Sequence, residues 1–169
     1  MSIRRLMTPS ETEIAHLCDV LIDCVEGGAS VSFMRPMTRE KSHAFWRRIA
    51  VDAAAGTRIV LIAEDEHGIV GTVQVVLDMP ENQPHRGDIA KMLVHRRARG
   101  RGVGAALLTA AEQHAREAGR TLLVLDSVSG SAGARLYERM GWIKVGDIPD
   151  FALWPDGGLC PTTFYYRKL

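Results

Sequence analysis

The sequence predicts an α/β domain with a mixed, mostly antiparallel central sheet of about seven strands and about four flanking helices. Three observations lead there. Short β-branched or apolar runs recur along the whole chain. Between them lie segments with apolar residues at helical spacing, each closed by a glycine. The resulting order is β-α-α-β-β-β-α-β-α-β-β: an antiparallel beginning, one βαβ unit, and an antiparallel end. A length of 169 residues suits a single domain over residues 1–169.

Ser2 to Leu6 reads as the first strand. Thr8-Pro9-Ser10-Glu11 is a helix-start signature with Thr8 as N-cap, and Ser10-x-x-Glu13 is an equally good capping box. Ile14, Leu17, Cys18, Leu21, Ile22 and Val25 then mark one helical face, which Gly27-Gly28 ends. A loop through Ser32 and Pro36 leads to a second helix, Thr38 to Ala55. Arg58 to Glu64 and Ile69 to Leu77 form a hairpin across Asp65-Glu66-His67-Gly68. Met79 to Arg86 is a polar, proline-bearing loop, and Asp88 to Val94 is the next strand. A helix from Val103 to Ala118 buries Val103, Ala106, Leu107, Ala110 and Ala111. Thr121 to Asp126 is nearly all apolar, which predicts a central strand buried on both faces. Ser131 to Met140 is a helix. Trp142 to Val145 and Thr162 to Lys168 are the last strands, with Pro149 to Pro161 an irregular loop between them.

Hydrophobic content of 46% and charged content of 24% are ordinary for a globular protein. A net charge of +1 argues against bulk binding to nucleic acid or to a membrane surface. No apolar run reaches spanning length, and no signal-peptide core is visible. Cys18, Cys24 and Cys160 form no C-x-x-C pair and read as reduced thiols of a cytoplasmic protein. The six histidines show no ligand spacing, so no metal is expected.

The chemistry concentrates where Met92-Leu93-Val94 runs into His95-Arg96-Arg97-Ala98-Arg99-Gly100-Arg101-Gly102-Val103-Gly104. A helix start presents unpaired N–H groups and the positive end of its dipole, and glycines let a phosphate approach them. Arg96, Arg97, Arg99 and Arg101 add positive charge, which together outlines a pyrophosphate site. Gly100-x-Gly102-x-x-Ala105 also fits the dinucleotide fingerprint, with Asp126 about 20 residues further on. Against a dinucleotide-binding oxidoreductase stand its late position, the interposed His95 to Arg99, and too little chain for the remaining parallel strands. No Gly-Lys-Ser/Thr follows, which excludes a P-loop.

Arg99-x-x-Gly102-x-Gly104 after Lys91-Met92-Leu93-Val94 resembles the acetyl-CoA signature of the GNAT N-acetyltransferase superfamily. Tyr137 followed by Met140-Gly141-Trp142 is similar to that family's Tyr-x-x-x-Gly-Phe segment, and the element order agrees over nearly the whole chain. Gly27 to Met34, Lys91 to Val94 and Pro155-Asp156-Gly157 resemble a narrower group, the tabtoxin-resistance acetyltransferases. The resemblance implies acetyl-CoA as co-substrate, held by the turn Arg99, Gly100, Arg101, Gly102, Val103 and Gly104. It also implies that the strands ending at Val94 and Asp126 splay apart around the pantetheine arm, which the backbone of Met92, Leu93 and Val94 would line. The N–H of Leu93 or Val94 would then meet the thioester oxygen. Gly130 stands where many relatives carry an asparagine, so Ser131 or backbone would replace that contact.

An acceptor ammonium must lose a proton before it can attack. Asp88 begins one of the two strands and Asp126 ends the other, so each is a candidate base, directly or through a water. Asp88 also resembles in position an acidic residue of the tabtoxin-resistance group. The family resemblance makes Tyr137 the acid that reprotonates the leaving thiolate; helical spacing alone makes it a core tyrosine. Gly28 to Arg35 and Phe151 to Cys160 are the expected walls of the acceptor site. Phe33, Met34, Phe151 and Trp154 offer apolar contact there, and Arg35, Asp150 and Asp156 offer charge. The expected acceptor is a small-molecule amine, and the narrower resemblance implies an amino-acid-like antimetabolite. A non-catalytic CoA-binding domain is the remaining alternative. An exposed C-terminal edge strand would support a homodimer.

Overall fold

The computed structural model describes residues 1–169. The elements are β1 (Ser2–Arg5), α1 (Glu11–Glu26), α2 (Arg39–Ala54), β2 (Arg58–Asp65), β3 (Gly68–Val76), β4 (Arg86–Val94), a short 3₁₀ turn (Arg96–Ala98), α3 (Val103–Glu117), β5 (Leu122–Val128), α4 (Ala132–Arg139), β6 (Ile143–Leu153) and β7 (Leu159–Lys168). All seven strands join one sheet in the order β1-β2-β3-β4-β5-β7-β6. Every pairing is antiparallel except β4–β5. The mixed sheet expected from the sequence is present, and the dinucleotide alternative is not: that fold needs a mostly parallel sheet.

Helices cover both faces. α3 and α4 enclose one core, which includes Val73, Ile89, Leu107, Leu108, Leu123, Leu125 and Tyr137. α1 and α2 enclose the other, with Leu17, Leu21, Trp46, Val60, Ile62 and Leu93. Local choices follow the expected physics. Of the two candidate starts for α1, the chain uses Ser10. Its hydroxyl accepts from Glu13 N, and the Glu13 carboxylate accepts from Ser10 N at 2.7 Å. Pro9 therefore lies outside the helix.

Two expectations are corrected. β5 is central, yet only Leu123 and Leu125 are fully buried, while Leu122 and Val124 stay half-buried. α1 and α2 pack on β2, β3 and β4, which leaves one face of β5 open. The segment Pro149 to Pro161 is mostly strand rather than loop. β6 continues to Leu153 and β7 begins at Leu159, so only a short turn is irregular. Pro149 escapes the usual veto because it sits in a bulge on an edge strand: Ile148 to Ala152 faces only Thr162 to Cys160, and Asp150 takes φ 54°.

Candidate active site

The site begins where pairing ends. β4 and β5 are in register only over Arg86–Leu122, Gly87–Leu123 and Asp88–Val124. Beyond Asp88 the two strands part. β4 also carries a bulge against β3: Thr72 faces Leu93 and Gln74 faces Ala90, so Lys91 and Met92 together stand opposite Val73, with Lys91 at φ 49°. His95 N donates to Val70 O at 2.8 Å. Backbone groups alternate sides along an antiparallel strand, so Leu93 N–H turns to β3, while Met92 and Val94 turn theirs into the gap. The Leu93 side chain lies in the α1/α2 core at 2% exposure.

Past β4, Gly100 (φ 74°) and Gly102 (φ 77°) take the left-handed conformation that reverses the chain into α3. Gly102 is the N-cap and supplies no side-chain partner. Arg99 N donates to Arg96 O and Ala106 N to Gly102 O, and no acceptor within the chain serves the N–H groups of residues 100 to 105. A run of unpaired donors at a helix start suits a pyrophosphate. Gly104 serves a different purpose, since a Cβ there would lie 3.0 Å from Leu136 Cδ2; its absence lets α3 and α4 approach.

The four arginines are not a free cluster. Arg96 pairs with Asp23, and Arg97 with Asp65 at 2.6 Å, which holds the Asp65 carboxyl below its usual range. Arg99 folds back, its Nε donating to Val94 O at 3.0 Å. Arg101 is the most loosely held, 4.0 Å from Asp65. Most of the positive charge expected at the phosphate therefore fastens the turn to α1, β2 and β4. Ser131 caps α4, its Oγ accepting from Ala134 N at 3.0 Å.

The two carboxylates share a face. Arg58, Val76, Asp88 and Val124 form one row across four strands. Val60, two residues from Arg58, belongs to the α1/α2 core, so the row faces that side. Asp126 lies two residues beyond Val124 on the same face, about 6.6 Å along the strand. Burial pushes the Asp88 carboxyl above the usual range; Arg86, its ion-pair partner, opposes the rise, and Asp126 adds to it. Asp126 accepts from Thr162 Oγ1 on β7 through Oδ2 at 3.0 Å, and Oδ1 has no partner. Tyr137 stands on the opposite face. Its ring packs 5.9 Å from both Trp142 and Tyr165, and its hydroxyl bonds to no other residue. Burial, followed by Asp126 and Tyr165, raises its pKa well above the ordinary phenol, so it stays protonated.

The two expected walls meet. Ser30 Oγ donates to Leu153 O at 2.7 Å, and Arg35 N to Pro155 O at 3.0 Å. Arg35 also pairs with Asp156 at 2.5 Å. Phe33 packs edge-on against Phe45, and Phe151 against Phe164. Met34, Phe151 and Trp154 remain exposed. A surface cavity of about 470 Å³ lies elsewhere, between α1 and the 3₁₀ turn. Its Asp23 and Asp19 are already paired with Arg96 and Arg39. It does not coincide with the gap.

A family model for the acetyltransferase (GNAT) domain matches residues 56–144, from the β2–β3 hairpin through α4. This chain belongs to the GNAT acetyltransferase family. It is 25% identical over 172 residues to an uncharacterized N-acetyltransferase from the hisH–hisA intergenic region of Azospirillum brasilense, covering 92% of this chain and 96% of that protein. Its fold is similar to that of a ribosomal-protein-alanine N-acetyltransferase from Brucella melitensis (TM-score 0.81, 23% identity, all of both chains). It is also similar to a GNAT phosphinothricin acetyltransferase from Sinorhizobium meliloti solved with acetyl-CoA (TM-score 0.81, 16% identity, 99% of this chain and 88% of that one). No helix is long and apolar enough to cross a membrane.

The expected site residues do not include Lys91, a lysine inside an apolar strand. Nor do they include Thr162, whose partnership with Asp126 depends on pairing between strands far apart in sequence.

Proposed function

We propose that this chain acetylates the amine of a small molecule, by direct attack of the amine on the thioester within the β4–β5 gap. The observation that carries the reading is the end of β4–β5 pairing at Asp88 and Val124, with carboxylates on one face and Tyr137 on the other. The unpaired N–H groups of residues 100 to 105 fit the cofactor's pyrophosphate, and those of Met92 and Val94 fit its amide-rich arm. When bound, acetyl-CoA supplies the activated acetyl group. The acceptor enters from the α1/α2 side, against Phe33, Met34, Phe151 and Trp154. Asp126, through its free Oδ1, takes the proton from the acceptor ammonium, and Asp88 holds a bridging water. Val94 N–H meets the carbonyl oxygen as charge develops on it. Tyr137 returns a proton to the departing sulfur. Arg99 keeps the β4 end rigid, and Ser131 fixes the start of α4 beside the cofactor.

The resemblance to tabtoxin-resistance enzymes supports an amino-acid-like antimetabolite as acceptor. The three buried, unbridged cysteines support a reducing compartment, the cytoplasm. β6 is an edge strand with exposed Ile143, Val145 and Ile148, the surface on which a second copy would pair. Release of CoA thiol across a panel of amines tests the reaction. Turnover of at least one small amine is expected, and acetyl-CoA binding without turnover of any of them would overturn the proposal.

A further inference from the structure

Lys91 occupies the β4 bulge and points to the α1/α2 face, where its Nζ donates to Ser32 Oγ at 3.0 Å. It lies 5.9 Å from the centre of the Phe33 ring, in the expected acceptor wall. No carboxylate comes within 4.0 Å of it, whereas the other cations nearby are occupied. Arg35 is held by Glu26 and Asp156, Arg58 by Asp52 and Gln74, and Arg86 by Asp88. Lys91 (φ 49°) and Ser32 (φ 76°) are both non-glycine residues in the left-handed region, so the chain tolerates strain at each end of this one contact.

We propose that Lys91 and Ser32 hold a carboxylate on the acceptor, next to the amine that is acetylated, and so select α-amino acids over simple amines. This rests on the small-amine acetyltransferase reading above. An acceptor arrives as an ammonium and must come close to Asp126 and Asp88. Lys91 shares that space and repels a bare cation. An acceptor that carries its own anion beside the amine matches the pattern: ammonium to the aspartates, carboxylate to Lys91 and the Ser32 hydroxyl. Burial, then Arg58, lower the Lys91 pKa, with Asp126 opposing them; a bound carboxylate would relieve that unfavourable setting. Phe33 and Met34 would flank the acceptor side chain. Lys91 is in this account a specificity-determining residue and takes no proton.

The test uses CoA release at saturating acetyl-CoA with three matched sets: the standard L-α-amino acids, their methyl esters, and their decarboxylated amines. The wild type should favour an acid over its own ester by at least tenfold in kcat/KM. Lys91→Met should raise KM for the acid at least tenfold, leave KM for acetyl-CoA unchanged, and bring acid and ester within a few-fold of each other. Lys91→Arg should restore much of the preference. A purely structural lysine would lower activity on acids and esters alike, which would overturn the proposal, as would a wild type that prefers esters or decarboxylated amines. Those results leave the acetyltransferase reading standing. Silence toward all three sets would overturn that reading, and this role of Lys91 with it.

Discussion

Gly102→Asp is the sharpest perturbation of the cofactor turn. Gly102 lies at φ 77°, and a Cβ there would meet nothing within 4 Å, so a side chain fits but points into open space before α3. Two effects separate. A non-glycine residue at this φ costs about 1–2 kcal/mol of fold stability, less for Asp and Asn, which tolerate the region. The new charge then faces the pyrophosphate that the free N–H groups of residues 100 to 105 are proposed to hold. At ~4 Å the repulsion is about 1 kcal/mol in bulk water and about 4 kcal/mol near a protein surface. The near-surface figure applies at this turn, so acetyl-CoA affinity should fall at least about tenfold. Gly102→Asn, of the same shape and without the charge, should lose clearly less. The gap between Asp and Asn should shrink as salt rises from ~0.1 M to ~1 M, where the Debye length drops from about 10 Å to about 3 Å. Calorimetric titration with acetyl-CoA reads all of this. Wild-type affinity in a folded Gly102→Asp protein would refute the site, and equal losses for Asp and Asn would refute the electrostatic argument.

Tyr137→Phe should keep the fold and acetyl-CoA binding while lowering turnover; unchanged turnover with chemistry rate-limiting would leave Tyr137 a core residue only. Wild-type turnover should rise with pH to a plateau, and Asp126→Asn or Asp88→Asn should lower it by about 10²-fold or more with cofactor binding retained. Full activity in both variants and in the double variant would remove the carboxylates from the mechanism. Asp88 has a raised pKa in the folded protein, so its stabilising contribution is complete below its unfolded pKa and is lost as pH rises through the folded one. Denaturant unfolding at about pH 4 and about pH 7 should accordingly show Asp88→Asn losing less stability than wild type over that window. Glu112 on α3 is 5% exposed and accepts from Trp142 Nε1 and pairs with Arg167 Nε, each at 3.0 Å. Glu112→Leu strands both partners and should cost about 3 kcal/mol, or roughly 6–12 °C in Tm; a loss within ~2 °C would show the network to be dispensable.

Much of the fold was legible because its signals are local. The capping box at Ser10, glycines after each helix, and the turn at Asp65 to Gly68 depend on residues a few positions apart. The glycine turn was legible for the same reason, since strand, loop and helix start are contiguous. What escaped depends on long-range pairing. Trp142 to Val145 and Thr162 to Lys168 read as strands from the sequence, but Pro149 to Pro161 reads as a loop, and only the register with β7 shows Pro149 and Asp150 as a bulge. Arginines in the turn read as phosphate ligands, since nothing local reveals that Asp23 and Asp65 already hold two of them. The side of β4 on which Val94 presents its N–H depends on its pairing with β3 and on the bulge at Lys91, neither of which has a local signature.

In the proposed complex acetyl-CoA lies with its pyrophosphate on the N–H groups of residues 100 to 105 and its acetyl end in the gap opened after Asp88. Amide hydrogen exchange, resolved by residue with and without acetyl-CoA, tests it directly. In the free protein the amides of Met92, Val94 and residues 100 to 105 should exchange fast, while His95, bonded to Val70 O, and Leu93, in register with Thr72 on β3, should be protected. Acetyl-CoA should slow the first set and leave Leu93 and His95 as they were. Protection that arises instead around His16, Asp19 and His67, in the cavity beside α1, with the amides of residues 100 to 105 still exchanging freely, would contradict the account.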